Sequence, residues 1–228
     1  MRGSSLGWRK FAATAVVVGG LVGGGVWAAG LFSNGPGKFA INESTSTGGS
    51  TGVPDLGGTW AADTTSEAGY RVEKVLLGKT VEVVGRGPLK SGVISIESGE
   101  VVSGRFVVEL GSLRTDNPQR DSAFKGRIME VSTWPEAVFV LKKPISLRSD
   151  MRVGEVISGE FEGELSMRGL TRGVVFAYQA AYEVDGSISM VASYEASFAD
   201  WGIKNPSQPG VIVKESAELE VSVRLIRE

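Results

Sequence analysis

Residues 187–198 read SISMVASYEASF, and every second residue from Ile188 to Phe198 is apolar. The residues between them are serines and one glutamate, apart from Val191. A period of two is that of a β-strand with one face toward an apolar interior and the other toward water. This stretch therefore predicts a strand in the wall of a sheet that covers a hydrophobic core.

The same alternation recurs from Gly57 to the end of the chain, between short glycine-rich turns. The other predicted strands are 59–75, 79–85, 92–98, 104–110, 138–147, 155–168, 173–184 and 217–226. Short turns and one wet face per strand are typical of antiparallel sheets. The pattern predicts a mainly β domain of about eight strands, either a sandwich or a barrel, and a barrel of this size can hold one small ligand.

One short helix is predicted within the β pattern. Asn117 is a suitable N-cap, Pro118 suits the first helical position, and the helix extends to about Met129. Phe124 and Ile128 are four residues apart and so lie on one face. That face either fills one end of the sheet or forms a lid over a ligand entrance, and the sequence allows both.

The composition excludes several classes of function. The chain has 24 Lys and Arg against 26 Asp and Glu, which leaves no basic excess for nucleic acid binding. Cysteine and histidine are absent, so disulfides, thiol nucleophiles, histidine-based triads and Cys/His metal sites are excluded. Glu160, Glu162 and Glu164 alternate along one strand, which places them on its solvated face. We therefore expect a non-catalytic protein without a metal site or cofactor.

The first 32 residues have the pattern of a membrane segment. Residues 1–10 contain Arg2, Arg9 and Lys10, and residues 11–32 carry no charge over a length that can cross a bilayer as a helix. A basic flank before the apolar run predicts a cytoplasmic amino terminus. We expect a single-pass signal-anchor that holds an extracytoplasmic domain at the cell membrane.

Two alternatives stay open for this apolar segment, and a linker follows it. The small residues Val26 and Ala28 fit a signal-peptidase site, and cleavage there would release a secreted protein. Glycines spaced four apart, such as Gly19 and Gly23, match a helix-pairing pattern, which leaves a homodimer open. Residues 33–56 are rich in Gly, Ser and Thr and predict a flexible tether.

A series of short motifs runs through the predicted domain, residues 57–228. The motifs begin at 58 (GTW), 69 (GYRV), 84 (VGR), 112 (SLRTD), 124 (FKGRIME), 134 (WPEAVF), 163 (GELSMRGLTR), 198 (FADWGI) and 205 (NPS). In this order and spacing the chain resembles the YceI-like family of bacterial envelope proteins, in particular its membrane-anchored actinobacterial members. One departure is Arg168, where the family often has a histidine, so no role of that histidine carries over.

The resemblance implies an extended, lipocalin-like antiparallel barrel around a long apolar molecule, either a polyisoprenoid lipid or an isoprenoid quinone. Its transport, storage or sensing would be the function. The candidate lining residues are Tyr70, Phe106, Phe124, Ile128, Phe139, Phe161, Leu165, Phe176, Tyr178, Met190 and Tyr194. Buried tyrosine hydroxyls need partners, which a quinone head group could supply, and a methionine suits an irregular apolar ligand.

Two other functions stay open. The barrel interior could be filled by its own side chains, as in many small barrels, and the protein would then be a non-catalytic envelope interaction or structural module. An enzyme acting on a hydrophobic substrate is disfavoured by the missing histidine and cysteine. Whether the inward-facing residues leave a tunnel discriminates between the binding protein and the filled module.

Overall fold

The structure is a computed structural model that describes residues 35–41 and 54–228. The predicted basic flank, residues 1–10, and the predicted membrane segment, residues 11–32, lie outside the described residues. Within the two described ranges, no helix is both long enough and apolar enough to cross a membrane.

The described part of the chain contains twelve strands and one short α-helix, which we call α1, together with short 3-10 and π-helical turns. The strands are β1 (Gly58–Ala62), β2 (Glu67–Leu76), β3 (Lys79–Pro88), β4 (Ser91–Glu97), β5 (Glu100–Glu109), β6 (Glu136–Leu141), β7 (Ile145–Ser146), β8 (Val156–Met167), β9 (Leu170–Tyr182), β10 (Ile188–Ser197), β11 (Val211–Val213) and β12 (Ser216–Arg227). The helix α1 spans Pro118–Ala123. The mainly β class with one short helix is confirmed.

Eight of these strands close into an antiparallel barrel. The order around the wall is β1, β4, β5, β6, β8, β9, β10 and β12, and β12 pairs with β1 to complete the ring. The strand β2 pairs with β12 next to β1, and β3 pairs with β2, so these two strands extend the wall. Of the two predicted architectures, a sandwich and a barrel, the structure is therefore the barrel. Closure of the ring pairs the backbone N–H and C=O groups that the edge strands of a sandwich would leave exposed.

The predicted single strand 59–75 is wrong in one respect, because a turn divides it into β1 and β2. The Asp63 carboxylate accepts hydrogen bonds from the backbone N–H and the hydroxyl of Thr65, at 2.9 and 2.6 Å. The Ser66 N–H also donates to the Asp63 carbonyl at 3.2 Å. Such an aspartate turn offers the backbone a local alternative to the strand ladder.

The helix α1 lies over one end of the barrel and continues as a π-helical turn, Phe124–Ile128. The Asn117 side chain accepts two backbone N–H hydrogen bonds from the first turn, at 2.9 and 3.1 Å. Pro118 occupies the first helical position. The predicted N-cap and helix start are thus confirmed, whereas the predicted extension to about Met129 is a wider turn and not a regular α-helix.

Two clusters of buried side chains occupy the two ends of the barrel. The cluster beneath α1, at what we call the helix end, consists of Leu110, Leu113, Phe124, Met129, Ala137, Phe139, Phe161, Leu165, Met167, Val174, Phe176, Ala192, Ala196 and Trp201. The cluster at the opposite end, the Trp60 end, consists of Trp60, Ile96, Val101, Val223 and Leu225. Alternate residues of the wall strands supply most of both clusters, as the period of two predicts.

Residues 35–41, part of the predicted flexible linker, lie against the outer wall of the barrel. The Arg71 guanidinium donates a hydrogen bond to the Pro36 carbonyl at 2.9 Å. The Arg86 guanidinium lies 3.7 Å from the centroid of the Phe39 ring, a cation–π contact. This part of the linker is therefore docked on the domain, a difference from the tether that composition predicts.

The docked segment covers a buried charge network on the outer face of β2, β3 and β12. Glu220 is 5% exposed and accepts hydrogen bonds from Arg86 at 2.8 Å and from Arg71 at 3.5 Å. Arg71, which is 4% exposed, also pairs with Glu82 at 2.8 Å. The carbonyls of Pro36 and Gly37 thus add hydrogen bonds to the Arg71 and Arg86 guanidinium groups, while the buried Nε of Arg71 has no hydrogen-bond partner among the described residues.

Candidate ligand-binding site

A cavity of about 440 Å³ lies inside the barrel beneath the helix, and we call it the wide chamber. Its volume lies in the range of about 300–1,000 Å³ that is usual for small-molecule sites. Nine of the eleven residues predicted to contact a ligand border this chamber: Tyr70, Phe106, Phe124, Ile128, Phe139, Phe161, Leu165, Phe176 and Met190. The side chains of the wall therefore leave open space at this end of the barrel.

A second cavity of about 90 Å³, the narrow chamber, lies toward the Trp60 end. Tyr178, another predicted lining residue, faces it together with Ile157 and Leu225. Some side chains line both chambers and so form a constriction between them: Phe106, Phe139, Phe161 and Met190. The two chambers are thus arranged in series along the barrel and separated by aromatic rings and one flexible methionine.

Ring contacts hold the aromatic residues around the constriction. The Phe139 ring meets Phe161 and Phe176 edge-on, with centroids 5.3 and 5.4 Å apart. Phe161 and Phe176 are stacked, at 5.5 Å and an interplanar angle of 11°. Separations of about 4.5–7 Å are favourable for edge-to-face and offset-stacked rings. These rings therefore give the constriction a defined shape.

Two predicted tyrosines bring hydroxyl groups into the apolar interior. Tyr70 stacks on Phe124 of the helix end with centroids 4.6 Å apart. Burial raises the pKa of Tyr70, and the nearby Asp121 carboxylate acts in the same direction. Burial also raises the pKa of Tyr178. Both phenols therefore stay neutral at ordinary pH. Tyr70 can donate a hydrogen bond in the wide chamber and Tyr178 in the narrow chamber.

Tyr194 lies in the barrel wall but lines neither chamber. Its ring packs 5.4 Å from Phe176. Burial raises the pKa of Tyr194, and Asp200 acts in the same direction. The nearby indole N–H of Trp201 lowers the pKa of Tyr194 in turn. This N–H is buried and makes no hydrogen bond of good geometry with any described residue. The structure therefore places Tyr194 behind the chamber lining.

Trp201 is a lining residue that sequence reasoning missed. It is fully buried and borders the wide chamber. Because it lies in a 3-10 turn, Ala199–Trp201, the period-two rule for strands did not apply to it. The available signal was an aromatic pair, Phe198 and Trp201, directly after a strand, and both residues line the wide chamber.

Polar side chains lie on the helix side of the wide chamber. Gln119, Arg120 and Arg127 contribute from the helix segment, and Lys74 contributes from β2. Burial lowers the pKa of Lys74, and the positive charge of Arg120 adds to this effect. The wide chamber is therefore apolar along the wall strands and cationic where the helix covers it.

The start of α1 is attached to the preceding loop by polar contacts. The Asp121 carboxylate accepts hydrogen bonds from the backbone N–H and the hydroxyl of Thr115, both at 2.8 Å. Arg120 forms an ion pair with Asp116. These bonds fix the first turn, and in the following turn the Phe124 ring stacks on Tyr70.

The acidic residues of β8 lie on the outer face of the barrel, away from both chambers. Glu162 pairs with Lys143 at 2.5 Å, and Glu164 pairs with Lys142 at 2.9 Å. No group of acidic side chains in residues 35–41 and 54–228 is arranged to hold a metal ion. The chambers offer apolar contact along the wall strands, together with the Tyr70 and Tyr178 hydroxyls and the cationic side chains on the helix side.

The closed barrel and its chambers define the class of protein: an antiparallel eight-stranded β-barrel with an apolar internal cavity. Residues 60–225 match the YceI-like domain, and the chain belongs to this family. The family resemblance of the sequence motifs is thereby confirmed, while the membrane-anchored actinobacterial type stays a prediction. A comparison with curated proteins finds no match to this chain.

Solved structures share the fold at low sequence identity. A polyisoprenoid-binding domain from Saccharophagus degradans, implicated in plant cell wall breakdown, is 14% identical, with a TM-score of 0.57 over 74% of this chain and 98% of that chain. BcnA from Burkholderia cenocepacia is 13% identical, with a TM-score of 0.51 over 68% of this chain and 95% of that chain. Both similarities concern the fold.

Proposed function

We propose that this protein is a non-catalytic binding protein that holds one long apolar molecule, a polyisoprenoid or an isoprenoid quinone, inside its barrel. Transport, storage or sensing of that molecule would be its role. The observation that carries the proposal is the wide chamber of about 440 Å³, which continues toward a second apolar chamber behind a shared ring of side chains. The polyisoprenoid-binding domain from Saccharophagus degradans, which has the same fold, supports this ligand class.

The energetics favour a hydrocarbon ligand without a charged anchor. Burial of apolar surface stabilises a complex by about 0.8 kcal/mol per CH₂ group. Each five-carbon isoprene unit thus contributes roughly 3–4 kcal/mol before the costs of ordering the ligand and the side chains. A few buried units therefore suffice for tight binding inside these chambers.

The direct test is mass spectrometry of organic extracts from the full-length protein, purified from native membranes. We expect one isoprenoid lipid or quinone per protein molecule. An empty extract, also after incubation with total membrane lipid, would contradict the proposal and favour the interaction module.

A pair of variants on β6 connects the bound lipid to the wide chamber. Ala137 lines this chamber, whereas Val140, on the same strand, is exposed on the outer face. We expect Ala137→Phe to fill the chamber and reduce the amount of bound lipid several-fold. Val140→Phe should leave the amount unchanged, and an equal loss in both variants would contradict binding inside the barrel.

We further propose that residues 11–32 anchor the protein in the cell membrane with the barrel on the extracytoplasmic side. The absence of cysteine makes this testable with single cysteines and a membrane-impermeant maleimide. Ser149 is exposed on the barrel, and Ser5 lies in the predicted cytoplasmic flank. We expect Ser149→Cys to react in intact cells and Ser5→Cys to react only after lysis. The reverse labelling pattern would refute this orientation.

A further inference from the structure

Glycines lie beside several of the aromatic rings that face the chambers. In three cases the strand register places the glycine directly opposite the ring, and in the fourth it lies diagonally across from it. The pairs are Tyr70 with Gly85, Phe106 with Gly92, Tyr178 with Gly159, and Phe139 with Gly163. These pairs involve both chambers and the constriction between them.

At the constriction, each ring occupies the space that a side chain on the glycine would need. A Cβ atom on Gly92 would lie 2.5 Å from Cδ1 of Phe106, with Cβ of Ala62 as the next side chain at 3.2 Å. A Cβ atom on Gly163 would lie 2.2 Å from Cζ of Phe139 and also 2.6 Å from the backbone oxygen of Val140. Ordinary van der Waals contacts between such carbon atoms are about 3.5–4.0 Å. The two rings therefore lie across the glycine backbone, against the wall of the barrel.

The other two pairs show the same arrangement away from the constriction. A Cβ atom on Gly85 would lie 2.5 Å from Cε1 of Tyr70, and one on Gly159 would lie 3.0 Å from Cε1 of Tyr178. An aromatic ring that covers a cross-strand glycine recurs in β-sheets because the ring shields the bare backbone. In this barrel the same contact draws each ring out of the lumen.

We infer that Gly92 and Gly163 set the bore of the constriction, and thereby the length of the apolar chain that the protein accepts. A side chain at either position would push its partner ring, Phe106 or Phe139, toward the axis of the barrel. The wide chamber would then be cut off from the narrow chamber. This inference rests on the proposed function, and it specifies a ligand whose chain extends through the constriction.

The chain offers a matched control on a neighbouring strand. Gly173 lies in β9, and a Cβ atom there would meet no atom within 4 Å. Gly173→Ala thus makes the same chemical change in the wall of the barrel without moving a ring. Any effect on ligand length that is specific to the constriction must be absent from this variant.

The test is a titration of the full-length protein with geraniol, farnesol and geranylgeraniol, which differ only in the number of isoprene units. In the wild-type protein and in Gly173→Ala, we expect the affinity to rise with each added unit. In Gly92→Ala, whose new methyl group meets only side-chain atoms, we expect the affinity for geraniol to stay within about twofold, while that for geranylgeraniol falls by about tenfold or more.

Smaller partner side chains provide the second arm of the test. Phe106→Leu should restore geranylgeraniol binding to Gly92→Ala, because the shorter side chain leaves room for the new methyl group. Phe106→Leu alone should raise the affinity for geranylgeraniol relative to geraniol. This single variant keeps the test decisive even where Gly92→Ala is unstable.

The possible results separate the inference from the proposed function. Equal losses for all three alcohols in Gly92→Ala, an unchanged length profile in that variant, or an unchanged ratio of geranylgeraniol to geraniol affinity in Phe106→Leu would each overturn the inference while leaving lipid binding intact. Failure of the wild-type protein to bind any of the three alcohols would instead count against the proposed function.

Discussion

The two ends of the barrel are built from the same alternating strands, yet the Trp60 end leaves a cavity of only about 90 Å³ and the helix end leaves a much larger one. At the Trp60 end, Trp60 and Leu225 are each 1% exposed, and the Trp60 indole N–H donates to the Leu56 carbonyl at 2.9 Å. At the helix end, a comparable set of apolar side chains surrounds a cavity of about 440 Å³. The comparison indicates that the Trp60 end provides stability, whereas the helix end provides space for a ligand.

The outer wall differs in a related way. Toward the helix end, Glu220 and Arg71 are buried and covered by the docked segment 35–41. Toward the Trp60 end, the partly exposed Arg224 pairs with Asp63 at 2.8 Å and with the exposed Asp185 at 2.7 Å. A buried charge depends strongly on its partners, whereas an exposed pair contributes little. We therefore expect the loss of a charge to reduce stability more on the outer face near the helix end than near the Trp60 end.

Trp60→Ala should have the largest effect on stability, because it leaves a large cavity at the Trp60 end and removes the hydrogen bond to the Leu56 carbonyl. We expect the free energy of unfolding to fall by about 3–5 kcal/mol, measured by urea denaturation. Ile212→Ala is the control, because Ile212 is 66% exposed, and it should cost about 1 kcal/mol or less. Equal costs would contradict the division between a packed end and an open end.

Glu220→Gln should rank second, because it removes the negative charge between Arg71 and Arg86. Removing one partner of a buried ion pair typically costs about 3–5 kcal/mol. We expect about 2–4 kcal/mol here, because Arg71 keeps its pairing with Glu82. Glu218→Gln affects the more exposed pair with Lys38 and should cost about 1 kcal/mol or less. Similar unfolding midpoints for the two variants would refute the importance of burial.

Phe124→Ala tests the open end and should affect ligand release more than stability. The Phe124 ring borders the wide chamber and stacks on Tyr70, so its loss enlarges an existing cavity. Loss of a fully packed phenylalanine costs about 3–5 kcal/mol, and because one side of this ring already faces a cavity we expect less, about 2 kcal/mol. We expect a ligand dissociation rate about tenfold higher, measured by transfer of bound farnesol to vesicles. Ser122→Ala, on the exposed face of α1, is the control. An unchanged rate would contradict a covering role for the helix.

Asp185, at the Trp60 end, should produce the smallest effect, and only at low pH. Hydrogen bonds from Ser187 and the nearby Arg224 lower the pKa of Asp185 from 3.8 to about 2. Because the folded-state pKa is lowered, the stabilisation is complete above about pH 4 and is lost as the pH falls through about 2. The carboxylate is 57% exposed, so we expect about 1 kcal/mol or less.

Asp185→Asn keeps an acceptor for Ser187 but removes the charge. We expect this variant to be slightly less stable than the wild-type protein at pH 7 and equally stable near pH 2. Urea denaturation at several pH values between these limits measures the difference. A stability difference that stays constant across this range would show that the Asp185 charge contributes nothing.

Much of the site was predictable because it lies on regular strands. Phe106, Phe139 and Phe161 occupy alternate positions of predicted strands, and all face the chambers. The Asn117 cap was predictable because it depends on residues close in sequence. Trp201 was missed because it lies in an irregular turn. Local rules therefore found the residues of the wall and failed where the chain leaves the wall.

Contacts between distant residues were beyond these rules. The docking of residues 35–41 depends on Arg71, Arg86 and Glu220, which come together only when β12 pairs with β2 and β2 pairs with β3. Composition alone describes the whole linker, residues 33–56, as flexible, because its many glycines, serines and threonines carry no information about a distant surface. The position of Tyr194 behind the chamber lining also depends on Phe176, which lies beside it on the adjacent strand β9.

The sequence by itself determined which side chains face the interior, because successive residues of a strand point to opposite faces of a sheet. It also determined the start of the helix and the exclusion of cysteine and histidine chemistry. Only the tertiary structure decided that the interior contains open chambers. That outcome depends on cross-strand register, which places Gly163 beside Phe139 and Gly92 beside Phe106, so that rings lie along the wall and leave the lumen open.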